Sequence, residues 1–199
     1  MTGRFIVLEG LDGAGTTTQV ACLAARLTAA GRTVLTTAEP SDLPLGRLIR
    51  ETLKGHPDAP SRRALPWMFA ADRADHLFRR VGPAIARGAD VVSDRYLHSS
   101  LAYQSLELPM QDVHVLNQTF PTPHIVLFLR VPVDVALARI ANRGQTTEIY
   151  EREEALRKVS KAYDQALLLR RSVGDRIEEI DGTTSPDTVA DAVWALVGA

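Results

Sequence analysis

The 199-residue sequence predicts an α/β fold, a mainly parallel five-stranded sheet with helices on both faces. Five short segments rich in β-branched and aliphatic residues alternate with segments of helical periodicity, and such alternation requires crossover connections. The first apolar segment, Phe5-Ile6-Val7-Leu8, runs into a glycine-rich loop, Gly10-Leu11-Asp12-Gly13-Ala14-Gly15-Thr16-Thr17, and the loop runs into a helical pattern. A composition of 45% hydrophobic and 24% charged residues supplies a full core for one domain over residues 1–199.

Strands are expected at residues 4–9, 33–37, 90–93, 124–130 and 176–180. A helix over 17–30 opens from the glycine-rich loop and ends at Gly31; the next, over 45–54, follows Pro44 and stops at Gly55. A helix over 66–80 puts Pro66 in its first turn, where a missing N–H costs little, and Gly82-Pro83 reads as the break after it. Helices over 98–106 and 110–118 lead to Pro121-Thr122-Pro123, which ends that region. A helix over 133–143, a polar loop, a long helix over about 150–171 and a last helix over 186–197 complete the set.

No apolar run approaches the roughly 20 residues that span a membrane. The N-terminus reads Met1-Thr2-Gly3-Arg4 and then a strand, without the apolar stretch of a secretory signal, which points to the cytoplasm. The one cysteine, Cys22, falls at a helical position and reads as a small buried packing residue. A formal net charge of -1 gives no general attraction to nucleic acid or anionic lipid, so phosphate must be held by local sites.

The glycine-rich loop fits the phosphate-loop pattern G-x-x-x-x-G-K-[ST] at every fixed position but one, because Thr16 stands where the lysine is expected. In such a loop backbone N–H groups and the following helix start cradle the phosphates, the lysine bridges the β- and γ-phosphates, and Ser/Thr holds Mg²⁺. Thr17 is therefore the expected metal ligand, and Asp12 is placed to orient a metal-bound water or a second substrate's phosphate. No register shift restores the lysine: Lys54, Lys158 and Lys161 all lie far along the chain. A unit charge about 4 Å from a phosphate oxygen is worth roughly 4 kcal/mol at an effective dielectric of about 20, or about a thousandfold in rate if uncompensated.

Polar residues follow other expected strands at the edge where ligands bind. Glu39-Pro40 follows the second, and Glu39 by itself reads equally as a capping carboxylate. Asp94-Arg95-Tyr96 closes the third; an acid there suits Mg²⁺ positioning, and Arg95 brings a planar donor fork suited to phosphate oxygens, a structural ion pair being the alternative. Phe69 and Arg73 are four residues apart and share one helix face. Taken alone they suit core packing and a salt bridge; together they also suit a nucleobase, stacked by the ring and hydrogen-bonded by the guanidinium.

These segments occur in an order and spacing that resemble thymidylate kinases. The resemblance rests on Phe5 through Gly15, Glu39-Pro40, Phe69-Ala70-Ala71-Asp72-Arg73, Asp94-Arg95-Tyr96 with Ser99-Ser100-Leu101-Ala102-Tyr103-Gln104, and Arg139 through Glu151, and it spans nearly the whole chain. It implies the three-layer fold of phosphate-loop nucleoside monophosphate kinases, with a mobile lid over approximately 139–152. It also implies Mg²⁺-dependent transfer of the γ-phosphate of ATP to dTMP, giving dTDP. On this likeness ATP is held by Gly10 through Thr17, by Arg139 and Arg143 of the lid, and by Gly182 near the adenine. Phe69 stacks on thymine, Arg73 and Ser100 bond its edge, Tyr103 lies under the sugar where it disfavours a 2′-hydroxyl, and Ser99 and Gln104 belong to the same dTMP site. Asp12, Glu39 and Arg95 surround the acceptor phosphate; Thr17, Asp94 and Glu39 serve the metal; Asp12, Arg95 and Arg143 are the catalytic set. The resemblance further implies a homodimer, for which the sequence offers only apolar faces such as Trp67-Met68-Phe69-Ala70-Ala71.

The chain departs from the pattern at several positions. Besides Thr16, Ala38 stands where many relatives have arginine before Glu-Pro, and Ser100 takes a place where a longer amide is common. Glu148-Ile149-Tyr150-Glu151 replaces the Asp-Arg-Ile-Glu frequent in lid-type relatives. Gly13 and Ala14 leave the loop without an arginine, so the lid, with Arg139, Arg143 and Arg152, is the implied source of one. Arg47 and Arg50 are the neighbouring cations that could offset the two lost charges. An active thymidylate kinase is the leading expectation; a nucleotide-binding protein of the same fold without activity, and a kinase for another nucleoside monophosphate, are the alternatives.

Overall fold

The computed structural model describes residues 3–142 and 149–198, with the side chains of 149–152 left aside. Its five strands are β1 (Phe5–Gly10), β2 (Val34–Ala38), β3 (Asp90–Asp94), β4 (Ile125–Arg130) and β5 (Ile177–Asp181). All pairings are parallel, in the order β2-β3-β1-β4-β5. Residues of β1 are buried along its length, as expected of a central strand covered on both faces, which reads as a continuous apolar run.

Alternate residues of the strands feed two cores. Phe5, Val7, Val91, Val126 and Phe128 pack with Leu97 and Leu101 of α5 (Leu97–Tyr103) and with Tyr163 and Leu167 of α8 (Ile149–Ser172). On the other face Ile6, Leu8, Val92, Leu127 and Leu129 pack with Leu23 and Leu27 of α1 (Thr16–Ala29) and with Val193 and Val197 of α9 (Pro186–Val197). The remaining helices are α2 (Pro44–Lys54), α3 (Leu65–His76), α4 (Gly82–Ala86), α6 (Met110–Asn117) and α7 (Val133–Ala141). Because every strand runs the same way, Gly10, Ala38, Asp94 and Asp181 all arrive at one edge of the sheet.

The break expected at Gly82-Pro83 is absent. A π-helical turn over Leu77–Val81 joins α3 to α4, in which Pro83 occupies the first turn. The wider turn changes the hydrogen-bond register just ahead of Pro83, so the proline's missing N–H falls where a new helical segment begins and the chain continues as helix. Cys22, expected to be buried, is half-buried on α1. No helix among the described residues is long and apolar enough to cross a membrane. Arg143 and the rest of 143–148 lie outside the described residues, as does the side chain of Arg152.

Candidate active site

The phosphate loop owes its path to its glycines. Gly13 and Gly15 take φ of +87° and +98°, in the left-handed region, and a Cβ on Gly13 would stand 2.5 Å from the carbonyl oxygen of Ala136. A Cβ on Gly15 would meet nothing within 4 Å, so it is the left-handed backbone and not crowding that calls for glycine there. Gly15 precedes α1 with no side-chain cap, which leaves the first N–H groups of the helix available to an anion. Thr16 is buried beside the loop. Thr17 turns toward β3, where its hydroxyl donates to Asp94 Oδ2 at 2.5 Å, and Asp94 Oδ1 is buried with no partner.

On the α9 side of the loop lies a cavity of about 230 Å³ lined by Gly13, Ala14, Gly15, Gln19, Arg139 and Gly182, among others. Arg139 donates to the carbonyls of Ala14 and Thr183, both at 3.4 Å, and so spans from the loop to the turn after β5. Gln19 donates to Pro186 O at 2.9 Å while its Oε1 is buried without a partner.

A cavity of about 400 Å³ on the other side brings together Asp12, Glu39, Phe69, Arg73, Arg95, Ser99, Ser100, Tyr103 and Gln104. Phe69 and Arg73 face it from the same side of α3. Arg73 is almost fully buried, with three hydrogen-bonding partners: Nε donates to Glu39 Oε2 at 2.8 Å, Nη2 to Ser100 Oγ at 2.9 Å, and Nη1 to Asn117 Oδ1. His76 meets the second Glu39 oxygen at 3.2 Å. Both Glu39 oxygens are thus engaged within this cavity, apart from the Thr17 and Asp94 pair. The loop after β2 is fixed to α3 by Asp72, which accepts from Ser41 N at 2.7 Å and Ser41 Oγ at 2.5 Å.

At the mouth of this cavity Arg95 donates to Asp12 Oδ1 at 2.8 Å and to Ser99 Oγ at 3.0 Å, and its guanidinium lies 5.3 Å from the centre of the Tyr103 ring. Desolvation opposes its charge, but the phenols of Tyr103 and Tyr163 and the carboxylates of Asp12 and Glu9 outweigh this and raise its pKa above the ordinary value. Burial pushes the Tyr103 phenol up to about 12, with Arg95 acting in the opposite sense; it remains a neutral ring with a hydroxyl that accepts from Asp12 N at 3.3 Å.

A third cavity, of about 410 Å³, is lined by Thr17, Asp94, Ala38, Arg50 and Arg80 together with residues of β2. Arg50 is held there by the carbonyls of Ser41 and Pro40 at 2.5 and 2.7 Å, whereas Arg47 is tied to Asp42 O at 2.6 Å.

Sequence reasoning did not single out Glu9, His76, Asn117 or Tyr163. Glu9 had a signal, a carboxylate ending an apolar strand run just before the phosphate loop. The other three sit at ordinary helical positions and owe their place to tertiary contacts.

The family model described as thymidylate kinase matches residues 8–192. The chain is 43% identical to a probable thymidylate kinase of Pyrococcus abyssi over 206 residues, covering 99% of this chain and 97% of that one. It is 41% identical to a thymidylate kinase of Thermomicrobium roseum, covering 97% and 93%, and 39% identical to one of Synechococcus sp., again covering 97% and 93%.

Proposed function

Since the chain belongs to the thymidylate kinase family, an ATP-dependent nucleoside monophosphate kinase, we propose that it converts dTMP and ATP to dTDP and ADP with Mg²⁺. The observation that carries this reading is the single cavity in which Phe69 and Arg73 of α3 share a wall system with Arg95 and Asp12 beside the phosphate loop. An aromatic ring and a fixed guanidinium fit a pyrimidine base, and the Arg95 fork fits the acceptor phosphate. Tyr103, under the sugar, crowds a 2′-hydroxyl.

Each residue then has a task. The loop N–H groups and Arg139 bind the donor nucleotide and hold its phosphates in line with the acceptor, and positioning of this kind supplies much of the rate. Arg95 orients the acceptor phosphate and balances charge, while Asp12 holds one Arg95 nitrogen in place. Glu39 serves Arg73: with both oxygens occupied, it fixes the guanidinium that reads the base. Mg²⁺ fits at Thr17 and Asp94, where a hydroxyl and a carboxylate with an orphaned buried oxygen stand together; so few protein ligands suit an ion that keeps waters and substrate phosphates in its shell. When bound there, the ion neutralises charge on the transferring phosphoryl group. The assignment of Arg143 to the donor phosphates rests on the family likeness alone.

The proposal treats residues 1–199 as one kinase domain, since both core faces belong to one sheet. A cytoplasmic setting fits the use of ATP and the free thiol of Cys22. A homodimer is supported by two exposed large apolar side chains, Trp67 near the start of α3 and Phe78 in the π-helical turn that follows it; a monomer mass by light scattering at micromolar concentration contradicts it.

The test is a coupled ADP-release assay with ATP, Mg²⁺ and dTMP, run beside dUMP, dCMP and dGMP. Turnover with dTMP above all other acceptors is expected. Turnover no faster than a buffer blank, with dTMP still raising the melting temperature, leaves a nucleotide-binding protein instead; a purine preference overturns the roles of Phe69 and Arg73.

A further inference from the structure

The structure assigns Tyr163 a positioning role: its hydroxyl, brought from α8, sets the orientation of Arg95 and ties it to Glu9, the residue just before the phosphate loop. The inference rests on the proposed kinase function and adds a residue far from every sequence motif. Tyr163 is fully buried and does not line the acceptor cavity. Its oxygen lies 3.2 Å from Arg95 Nη1, 2.8 Å from Ser99 Oγ, 3.0 Å from Glu9 Oε2 and 3.2 Å from the carbonyl oxygen of Gly10.

The proton count gives this cluster a direction. Glu9 is completely buried; its Oε1 accepts from the N–H groups of Tyr96 and Ser99 at 2.8 and 3.1 Å, and its Oε2 from the Ser99 hydroxyl at 2.6 Å and the Tyr163 hydroxyl at 3.0 Å. With both hydroxyl protons aimed at one carboxylate, both hydroxyl oxygens present lone pairs to Arg95 Nη1. That nitrogen is clamped, and Nη2 is left to Asp12 at 2.8 Å on the substrate side. Burial, reinforced by Glu9, raises the Tyr163 pKa well above that of an ordinary phenol, so the proton stays in place. The clamp is needed because Arg95 has φ of +74°, a left-handed backbone that a long side chain seldom adopts without support.

Tyr163→Phe removes only the hydroxyl and keeps the ring packed against Phe128 and Tyr103, whose centres lie 5.1 and 6.0 Å away. It is tested by ADP release with dTMP and ATP varied in turn, alone and combined with Arg95→Lys, with melting curves alongside. The expected result is a rise of about tenfold in KM for dTMP, the order set by losing one charge-assisted hydrogen bond, with KM for ATP little changed and the melting temperature lowered by a few degrees because buried Glu9 loses a donor. In the Arg95→Lys background, where the clamped Nη1 is gone, the same change has a smaller effect. Unchanged dTMP kinetics, or an undiminished effect with Arg95→Lys, overturns the inference, as does a lowered melting temperature without any shift in KM. Should Tyr163→Phe fail to fold, Glu9→Gln, which lies outside the acceptor cavity and turns a hydroxyl proton toward Arg95 by removing the carboxylate that accepts it, carries the same expectations for the two KM values. Absence of turnover in the unaltered protein strikes the proposed function instead, so the two failures are distinct.

Discussion

The hydroxyl of Thr17 donates to the carboxylate of Asp94 at 2.5 Å, joining the last residue of the phosphate-loop motif to the end of β3. The other Asp94 oxygen is buried and unpaired, a costly arrangement unless something positively charged or hydrogen-bonding completes it. Asp94→Asn keeps the shape and removes the charge. It is expected to lower kcat about a hundredfold, the equivalent of roughly 3 kcal/mol, and to raise the Mg²⁺ concentration needed for half-maximal rate. A titration of rate against Mg²⁺ that superimposes on that of the unaltered protein contradicts the assignment.

Thr16→Lys is expected to increase kcat at saturating substrates. The full value of the missing charge sets a ceiling of about a thousandfold. The gain should fall short of it, because Arg50 is pinned by two backbone carbonyls in the cavity that holds Thr17 and Asp94 and already contributes positive potential there. The variant and its parent are compared in the ADP-release assay, with Arg50→Ala as a third protein. If Thr16→Lys is no faster, Thr16 is matched to its surroundings and the charge is supplied elsewhere.

Asn117 completes the shell of Arg73 from α6. Asn117→Ala leaves one guanidinium nitrogen unpaired in a buried site and is expected to cost about 1–3 kcal/mol by urea unfolding, while raising KM for dTMP. Arg73→Ala goes further, since it strands Glu39 with only His76 facing it; loss of one partner of a buried pair costs about 3–5 kcal/mol. The order of the two variants in urea is the measurement, and the reverse order argues against a buried ion pair at the base pocket.

These contacts mark the border of what the sequence disclosed. The strands were readable because a sheet buried on both faces requires unbroken aliphatic runs such as Phe5-Ile6-Val7-Leu8, and the phosphate loop because its glycine spacing is a local requirement. Phe69, Arg73, Asp94 and Arg95 were readable because helix periodicity and strand ends predict which way they face. The π-helical join across Gly82-Pro83 was not, since local rules make that pair a break. Nor were Tyr163 and Asn117: Tyr163 meets Glu9 across 154 positions and Asn117 meets Arg73 across 44, and no pattern along the chain encodes such pairs. The occupation of both Glu39 oxygens by Arg73 and His76 likewise depends on the packing of α3 against the end of β2.

Acid should loosen the fold through Asp175, which lies just beyond α8 and accepts from His98 Nε2 at 2.8 Å and from Arg170 Nε and Nη2 at 2.9 and 2.7 Å. Burial acts to raise its pKa, but the bonds from His98 and Arg170 outweigh burial and draw it down to about 2, from an ordinary 3.8. The unfolded chain therefore takes up this proton at higher pH than the folded one. The stabilisation is present in full above the unfolded value and is lost as pH falls through the folded value, so it disappears between about pH 4 and pH 2. The shift corresponds to about 2 kcal/mol. Urea unfolding of the unaltered protein and of Asp175→Asn across pH 7 to 2 isolates the effect. The stability gap between them should be constant down to about pH 5 and narrow by about 2 kcal/mol below pH 4. A gap that persists unchanged to pH 2 means that His98 and Arg170 do not hold Asp175 ionised. A gap that narrows already above pH 5 equally contradicts the assignment of the effect to Asp175.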